Sequence, residues 1–535
     1  MNRNKDTLIV LSTLLVLASL SYLPFVYQDT LGEPDSFRMA NGFIYSLSND
    51  TPFEGPLLFR LDASFGYYAL LYLFAPIVKA NLALVIAFMN YINAISAILM
   101  VIPLFFVVKR YWGIVTAVSA NILLIFVPIW WNTSLYGHPV IPAMFFMFVG
   151  LALVGVRSQL AARQGVLWKL IGVDGLIVAA FFLCLAFRSD AVLLMFPLIP
   201  FCLLLERYSF KRIIIYSTLY SLLPFIIFLT TQSFVMNINT MTNVPDRIAA
   251  QNLSKEVLND NNLIAMSPLN LVIGMVTGSL AYHPLYLLVF GISCFYLTYQ
   301  RNYRTLFFVL PVFILNFIFW IPNPSPARHF IFATPLLAIG VAIGLSAIPR
   351  SVKFLAKKDK LGSLVPVTLL FVLASLIGSE LLYSAVRAYY PWQNQSRDYF
   401  VRMPIHSIFI NSYYTEAHFQ NAEHFAQDLQ QLEPKDKPIL VIANALPVLL
   451  RLQLLSEDVK DLQVIEKTID KTSWRLYLLQ NEHNRFIIPL IVSEKKNNLV
   501  KLFAAYNDFY LAIDPTFYEY DGNIILNEET LLPKF

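Results

Sequence analysis

Charge is scarce in this sequence. Only 14% of its 535 residues are Asp, Glu, Lys or Arg, against about 25% in soluble domains. With 57% hydrophobic residues and a mean hydropathy of +0.60, that shortage excludes a soluble globular protein. Cysteine is scarcer still. Cys184, Cys202 and Cys294 all fall inside apolar runs. They form no disulfide framework and no CxxC metal pair, and small buried hydrophobes are the simple reading. No HExxH, no GxSxG and no Gly-rich phosphate loop occurs, which removes the common metalloprotease, hydrolase and nucleotide-binding signatures. The net charge of +5 does not point to nucleic acid. The basic residues sit in short clusters between apolar runs, where orientation signals lie.

Long apolar runs are what the sequence has instead. A membrane-crossing helix needs about 20 mostly apolar residues. Runs of that kind cover roughly 8–26, 82–108, 113–131, 139–156, 170–187, 190–205, 213–234, 284–300, 305–321, 329–348 and 363–384. The first is long for a signal peptide and no Ala-x-Ala-type site follows it, so it reads as an uncleaved first span. Two shorter stretches, 66–78 and 268–281, fit helices lying in the interface. The expected fold is a polytopic α-helical membrane protein of about eleven transmembrane helices.

Charge orients these spans. With the N-terminus in the cytoplasm, the outer loops up to the last span hold seven basic residues: Arg38, Arg60, Lys79, Arg188, Arg247, Lys255 and Arg328. The inner segments hold seventeen Lys and Arg, from Arg3 to Lys360. The positive-inside rule favours this orientation. Asn49, Asn132, Asn252 and Asn394 stand in N-x-Ser/Thr triplets, all on the outer side it predicts.

The composition changes after about residue 384. Residues 1–384 read as the membrane module, with a first outer loop at 27–65, and 385–535 as an extracytoplasmic α/β domain. Strands are predicted at 438–443, 462–465, 485–492 and 509–513, and helices at 446–455 and 498–506. Strands alternating with helices suggest the α/β class.

Charge within a bilayer is costly and usually functional. The span centres are nearly free of it, with Asp174 near an inner end as the main exception. Polar chemistry gathers at the outer edge instead. The first outer loop carries Gly32-Glu33-Pro34-Asp35-Ser36-Phe37-Arg38 and also Arg60 and Asp62. A short loop carries Trp130 to Pro139, including His138. Phe187-Arg188-Ser189-Asp190 forms a hinge between spans, and Arg328-His329 opens a late one. Pro34 before Asp35 suits a helix start, where the anion is stabilised. Each element also has a plain reading: a solvated loop acid, an ion pair closing a hairpin at Arg188 and Asp190, a snorkelling Arg328, a helix cap at His138. Trp130, Trp131, Tyr136 and Trp392 read mostly as an interfacial belt, with sugar stacking open for one or two.

In this order and sidedness the motifs resemble the GT-C superfamily of membrane glycosyltransferases, which includes protein O-mannosyltransferases and aminoarabinose transferases. The matches are the acidic Glu33-Pro34-Asp35 of the first loop, the apolar 66–78, His138-Pro139 at a span start, Arg188-Ser189-Asp190, the late Arg328-His329 and a closing outer domain. One departure is the proline between the two acids, which many members have adjacent.

The resemblance implies a polyprenyl-phosphate-sugar donor, a glycan, lipid or protein acceptor, surrounding membrane lipid and no nucleic acid. Asp35 is then the general base, with Glu33 as second candidate or orienting partner. Arg328 would face the departing phosphate, with Arg60 or Arg188 next. Asp190 would hold sugar hydroxyls, and His138 and His329 complete the substrate-binding set. No metal ligand set is assigned, although two carboxylates in one loop could hold a divalent cation. A bacterial inner membrane is the default location. The rivals are a polymerase or ligase of lipid-linked glycans, a transporter or flippase, and a noncatalytic scaffold. A transporter would show midplane charge or internal symmetry, and neither is seen.

Overall fold

The structure is a computed structural model. It describes residues 2–26, 43, 65–78, 82–135, 137–163, 166–236, 284–310, 331–356 and six strands between 439 and 513. The helices are α1 (Asn2–Tyr22), α2 (Phe65–Leu73), α3 (Ala75–Val78), α4 (Leu82–Trp112), α5 (Ile114–Phe126), α6 (Pro128–Ser134), α7 (Val140–Ala162), α8 (Leu167–Phe187), α9 (Val192–Leu205), α10 (Phe210–Ser217), α11 (Leu223–Met236), α12 (Pro284–Tyr299) and α13 (Thr334–Ala356). Residues 303–310 are also helical.

Among the described residues, five helical stretches are long and apolar enough to cross a membrane: Lys5–Phe25, Leu84–Trp112, Val140–Ala162, Leu167–Phe187 and Phe210–Thr231. Ile114–Phe126, Val192–Leu205, Tyr286–Tyr299 and Ile331–Ser346 are shorter apolar helices. This is a multi-pass helical membrane protein. The predicted span at 363–384, much of 305–321 and the interfacial stretch at 268–281 lie outside the described residues.

One expected segment differs from the sequence reading, and one is made of two short helices. The single span expected at 113–131 is two helices, α5 and α6. Pro128 has no N–H to continue the ladder and pushes the preceding residue out of the helical region; Val127 is extended (φ −67°, ψ 118°). The 66–78 stretch is α2 and α3, both too short to cross, with Tyr67, Tyr68, Leu71 and Val78 buried.

The helices pack as a bundle. α7 lies between α4 and α8, α5 contacts α4 and α13, and α13 packs on α12. Side chains facing inward are closely buried, such as Phe105, Phe148, Phe181 and Leu337. Those facing outward, such as Leu8, Ile171, Leu176 and Phe295, are exposed, as expected where lipid tails are as apolar as the side chains themselves.

Contacts sort the helix ends into two sets. At the proximal end, where α1 starts, Lys109 Nζ donates to Thr7 Oγ1 at 2.6 Å and Trp112 Nε1 to Thr305 Oγ1 at 3.1 Å. At the distal end, Trp131 Nε1 donates to Ser21 O at 2.8 Å and Tyr22 Oη to Ile125 O at 3.3 Å. Trp130 and Trp131 are therefore packed inside the bundle, at 0% and 7% exposure, and are not belt residues.

Six strands follow residue 438: β1 (Ile439–Ile442), β2 (Gln463–Thr468), β3 (Arg475–Gln480), β4 (Arg485–Leu490), β5 (Ala504–Ala505) and β6 (Tyr510–Ile513). β1 pairs in parallel with β6, from Ile439↔Tyr510 to Ile442↔Ile513, and β5 is antiparallel to β6. β2, β3 and β4 form an antiparallel sheet, and Pro489 sits on its edge strand, where a missing N–H is tolerated. The strands expected at 438–443, 462–465, 485–492 and 509–513 are present. β3 was not anticipated, and β5 falls within the helix expected at 498–506. The helix expected at 446–455 lies outside the described residues.

Candidate functional site

Asp35, Glu33, Arg60, Arg328 and His329 lie outside the described residues. The structure places His138 and Arg188 at the distal end. Asp190 belongs to a 3-10 turn, Ser189–Ala191, and its side chain lies outside the described set.

His138 is built into a short connection between α6 and α7. It is 2% exposed. Pro139 starts the next helix, and the Val140 N–H donates to His138 Nδ1 at 3.3 Å. The preceding residue is Gly137, where an added Cβ would lie 2.7 Å from Met89 Cβ. Only glycine allows the loop to lie that close to α4. Its N–H donates to Asn90 Oδ1 at 2.6 Å. One turn along α4, Asn93 Nδ2 donates to Thr133 O at 3.2 Å, at the other end of the same connection. Tyr67 Oη of α2 donates to Asn93 Oδ1.

Arg188 caps the C-terminus of α8. Its N–H donates to Cys184 O at 3.0 Å and its backbone is extended. The adjoining Phe187 ring lies edge-on to Tyr67, with centroids 5.5 Å apart, and stacks with Phe146 at 5.7 Å. Gly66 allows the approach of α2 to this end of α8, since an added Cβ there would lie 3.1 Å from the backbone of Ala186 and Phe187. Tyr67 thus joins the segment carrying Arg188 to the amide that holds the His138 connection. Asn90 and Asn93 are both fully buried, and neither was singled out from sequence.

The structure-wide comparisons bear on this bundle. No protein-family model matches the chain, and no curated protein matches it by sequence. Two solved structures are similar to it at low identity. The archaeal oligosaccharyltransferase AglB from Archaeoglobus fulgidus, in complex with an inhibitory peptide and a dolichol-phosphate, is 10% identical over 85% of this chain, with a TM-score of 0.48. ArnT from Cupriavidus metallidurans, bound to undecaprenyl phosphate, is 13% identical over 84% of this chain and 85% of its own, with a TM-score of 0.49. Both are GT-C membrane glycosyltransferases. The chain spans 64% of the length of the archaeal enzyme.

The proximal end holds a different kind of chemistry. Arg157 Nε and Nη2 donate to Asp174 at 2.7 and 3.4 Å, Nη1 donates to Tyr208 Oη at 3.2 Å, and Nη2 also to Tyr216 Oη at 2.6 Å. Tyr220 Oη donates to Asp174 Oδ1. The guanidinium lies 4.1 Å from the Tyr216 ring centroid. Nearby, Arg110 forms a two-point pair with Glu206, and Tyr111 Oη donates to Glu206 Oε1 at 2.5 Å. The sequence reading took Arg110 and Arg157 as plain anchors and put nearly all bilayer-edge charge chemistry on the outer side. The anchor reading is corrected here: Arg110 and Arg157 are each held in an ion pair at the proximal end. Their donors and acceptors satisfy one another, so they read as structural.

Among the described residues, no three His, Cys, Asp or Glu side chains come together as a metal site.

Proposed function

We propose that this protein is an integral-membrane glycosyltransferase. It moves a sugar from a polyprenyl-phosphate-linked donor to an acceptor hydroxyl on the extracytoplasmic side of a bacterial inner membrane, which is the distal side of the bundle. The observation that carries this reading is the division of polar residues between the two ends. Ion pairs close the proximal end on itself, and His138, Arg188 and the buried Asn90 and Asn93 amides gather at the distal end. The positive-inside bias supports an outer position for the loops that carry Glu33-Pro34-Asp35, Arg60 and Arg328.

The proposed step is a single displacement. Asp35 takes the proton of the acceptor hydroxyl, with Glu33 as its second candidate or orienting partner. The acceptor oxygen bonds to the anomeric carbon as the bond from that carbon to the phosphate oxygen breaks. The electron pair leaves on the lipid phosphate, and the anomeric centre inverts. Arg328, or Arg60 or Arg188, meets the phosphate with a forked, permanent cation. Asp190 holds sugar hydroxyls, and His138 and His329 line the substrate. A divalent cation between Glu33 and Asp35 is compatible with the same step, and chelator treatment of active membranes separates the two forms.

The test is transfer from a labelled polyprenyl-phosphate sugar in membranes, comparing wild type with Asp35→Asn at equal folded protein. Loss of the general base is expected to lower transfer about 10²- to 10⁴-fold. Equal rates would remove Asp35 from the base role, and no transfer by wild type from any such donor would overturn the reading.

A further inference from the structure

Asn90 and Asn93 are fully buried amides in a helix whose other buried residues around them are Ile86, Met89, Ala94, Ser96 and Ala97. Burying an amide is unfavourable unless it is hydrogen-bonded, and polar side chains inside membrane helices mark function more often than packing. Three residues apart, the two share a face of α4. Both bond to the short distal segments: Asn90 to the Gly137 N–H, and Asn93 to Thr133 O and the Tyr67 hydroxyl. Together they pin both ends of the connection that carries His138. Through Tyr67, Asn93 also reaches the ring of Phe187, next to Arg188.

We infer that Asn90 and Asn93 are positioning residues for the distal transfer site, fixing the His138 connection and the start of α2 relative to α8. This rests on the reading of the distal end as the transfer site. The pinning has a chemical result at His138. Its Nδ1 accepts the Val140 N–H, so the proton of the neutral ring sits on Nε2. Letting the connection drift by about 1 Å would be expected to lower transfer about 100-fold.

The test measures kcat and KM for a labelled polyprenyl-phosphate sugar at equal folded protein, together with thermal unfolding in detergent. Asn90→Leu keeps the size and removes the acceptor, and is expected to lower kcat/KM by about 10- to 100-fold. Asn90→Asp, which keeps an accepting oxygen, should recover most of that loss. Tyr67→Phe removes one hydroxyl and no ring packing, and is the milder probe should Asn90→Leu fold poorly; it should also lower kcat/KM. Combining Asn90→Leu with His138→Ala should be no worse than His138→Ala alone, because both act through one group. The inference is overturned if kcat/KM per folded molecule is unchanged in both Asn90→Leu and Tyr67→Phe, or if the Asn90→Leu and His138→Ala effects multiply. Those results with an active wild type sink this inference alone. A wild type that transfers no sugar sinks the transfer reading, and this inference with it.

Discussion

Arg157 illustrates how much a single residue can be misjudged from sequence. A basic residue near the end of an apolar run looks the same whether it reaches the interface or turns inward to a partner. Asp174 lies 17 residues away and Glu206 lies 96 residues from Arg110, separations that no local pattern reveals. The Asn90 and Asn93 amides were equally hidden, because asparagine within an apolar run carries no periodic signal. His138 and Arg188 were legible, since each stands where a span meets a loop. The Arg157 pair also yields a stability prediction. Its side chains are 8% and 20% exposed, and breaking a buried pair by removing one partner costs about 3–5 kcal/mol. Arg157→Leu should therefore lower the thermal midpoint of the purified protein strongly. Arg157→Leu combined with Asp174→Leu should lower it much less, because no buried charge is left unpaired. Equal midpoints for the single variant and wild type would show that the pair contributes nothing.

At the scale of elements, length and hydropathy revealed most helices, and their interruptions were harder to see. Pro128 signalled its break, but the surrounding apolar run masked it. The π-helical turn at Thr218–Leu222 has no sequence signature at all. Such a turn holds one residue more than an α-helical turn would; here it begins two residues after Tyr216 and contains Tyr220, and both tyrosines face the Arg157–Asp174 pair. Deleting Thr218 should take out that extra residue and restore a regular helix, changing the offset between Tyr216 and Tyr220. Tyr216 would then leave Arg157. The loss of stability should be at least that of Tyr216→Phe, about 1–3 kcal/mol for a charged hydrogen bond; a deletion milder than Tyr216→Phe would show that the turn does not set that contact. In the C-terminal region, alternating β-rich runs identified β1, β2, β4 and β6. Two-residue β5 is too short to carry a period, and antiparallel β3 follows a six-residue gap that the expected strand–helix alternation passed over.

For the whole molecule, the contacts divide the helix ends as the charge bias does. Lys109, Arg110, Arg157 and Glu206 gather at one end, and the His138 connection and the end of α8 at the other. The proposed orientation predicts that a reporter inserted after Arg163 is active in the cytoplasm and one fused after Phe535 is active outside it. The reverse pattern would place the distal end in the cytoplasm.

α4 is 31 residues long, about 46 Å at 1.5 Å per residue, and so exceeds a hydrocarbon core of about 30 Å. Lys109 fixes its inner level, and Asn93 lies sixteen residues back along the same axis, about 24 Å away. On the proposed orientation the helix is a depth gauge. It sets Asn93 about 24 Å and Asn90 about 28 Å from that level, near the outer edge of the hydrocarbon core. On the proposed function, a lipid-borne sugar would arrive there by lateral diffusion alone, and the thickness of the host bilayer would become part of substrate selection.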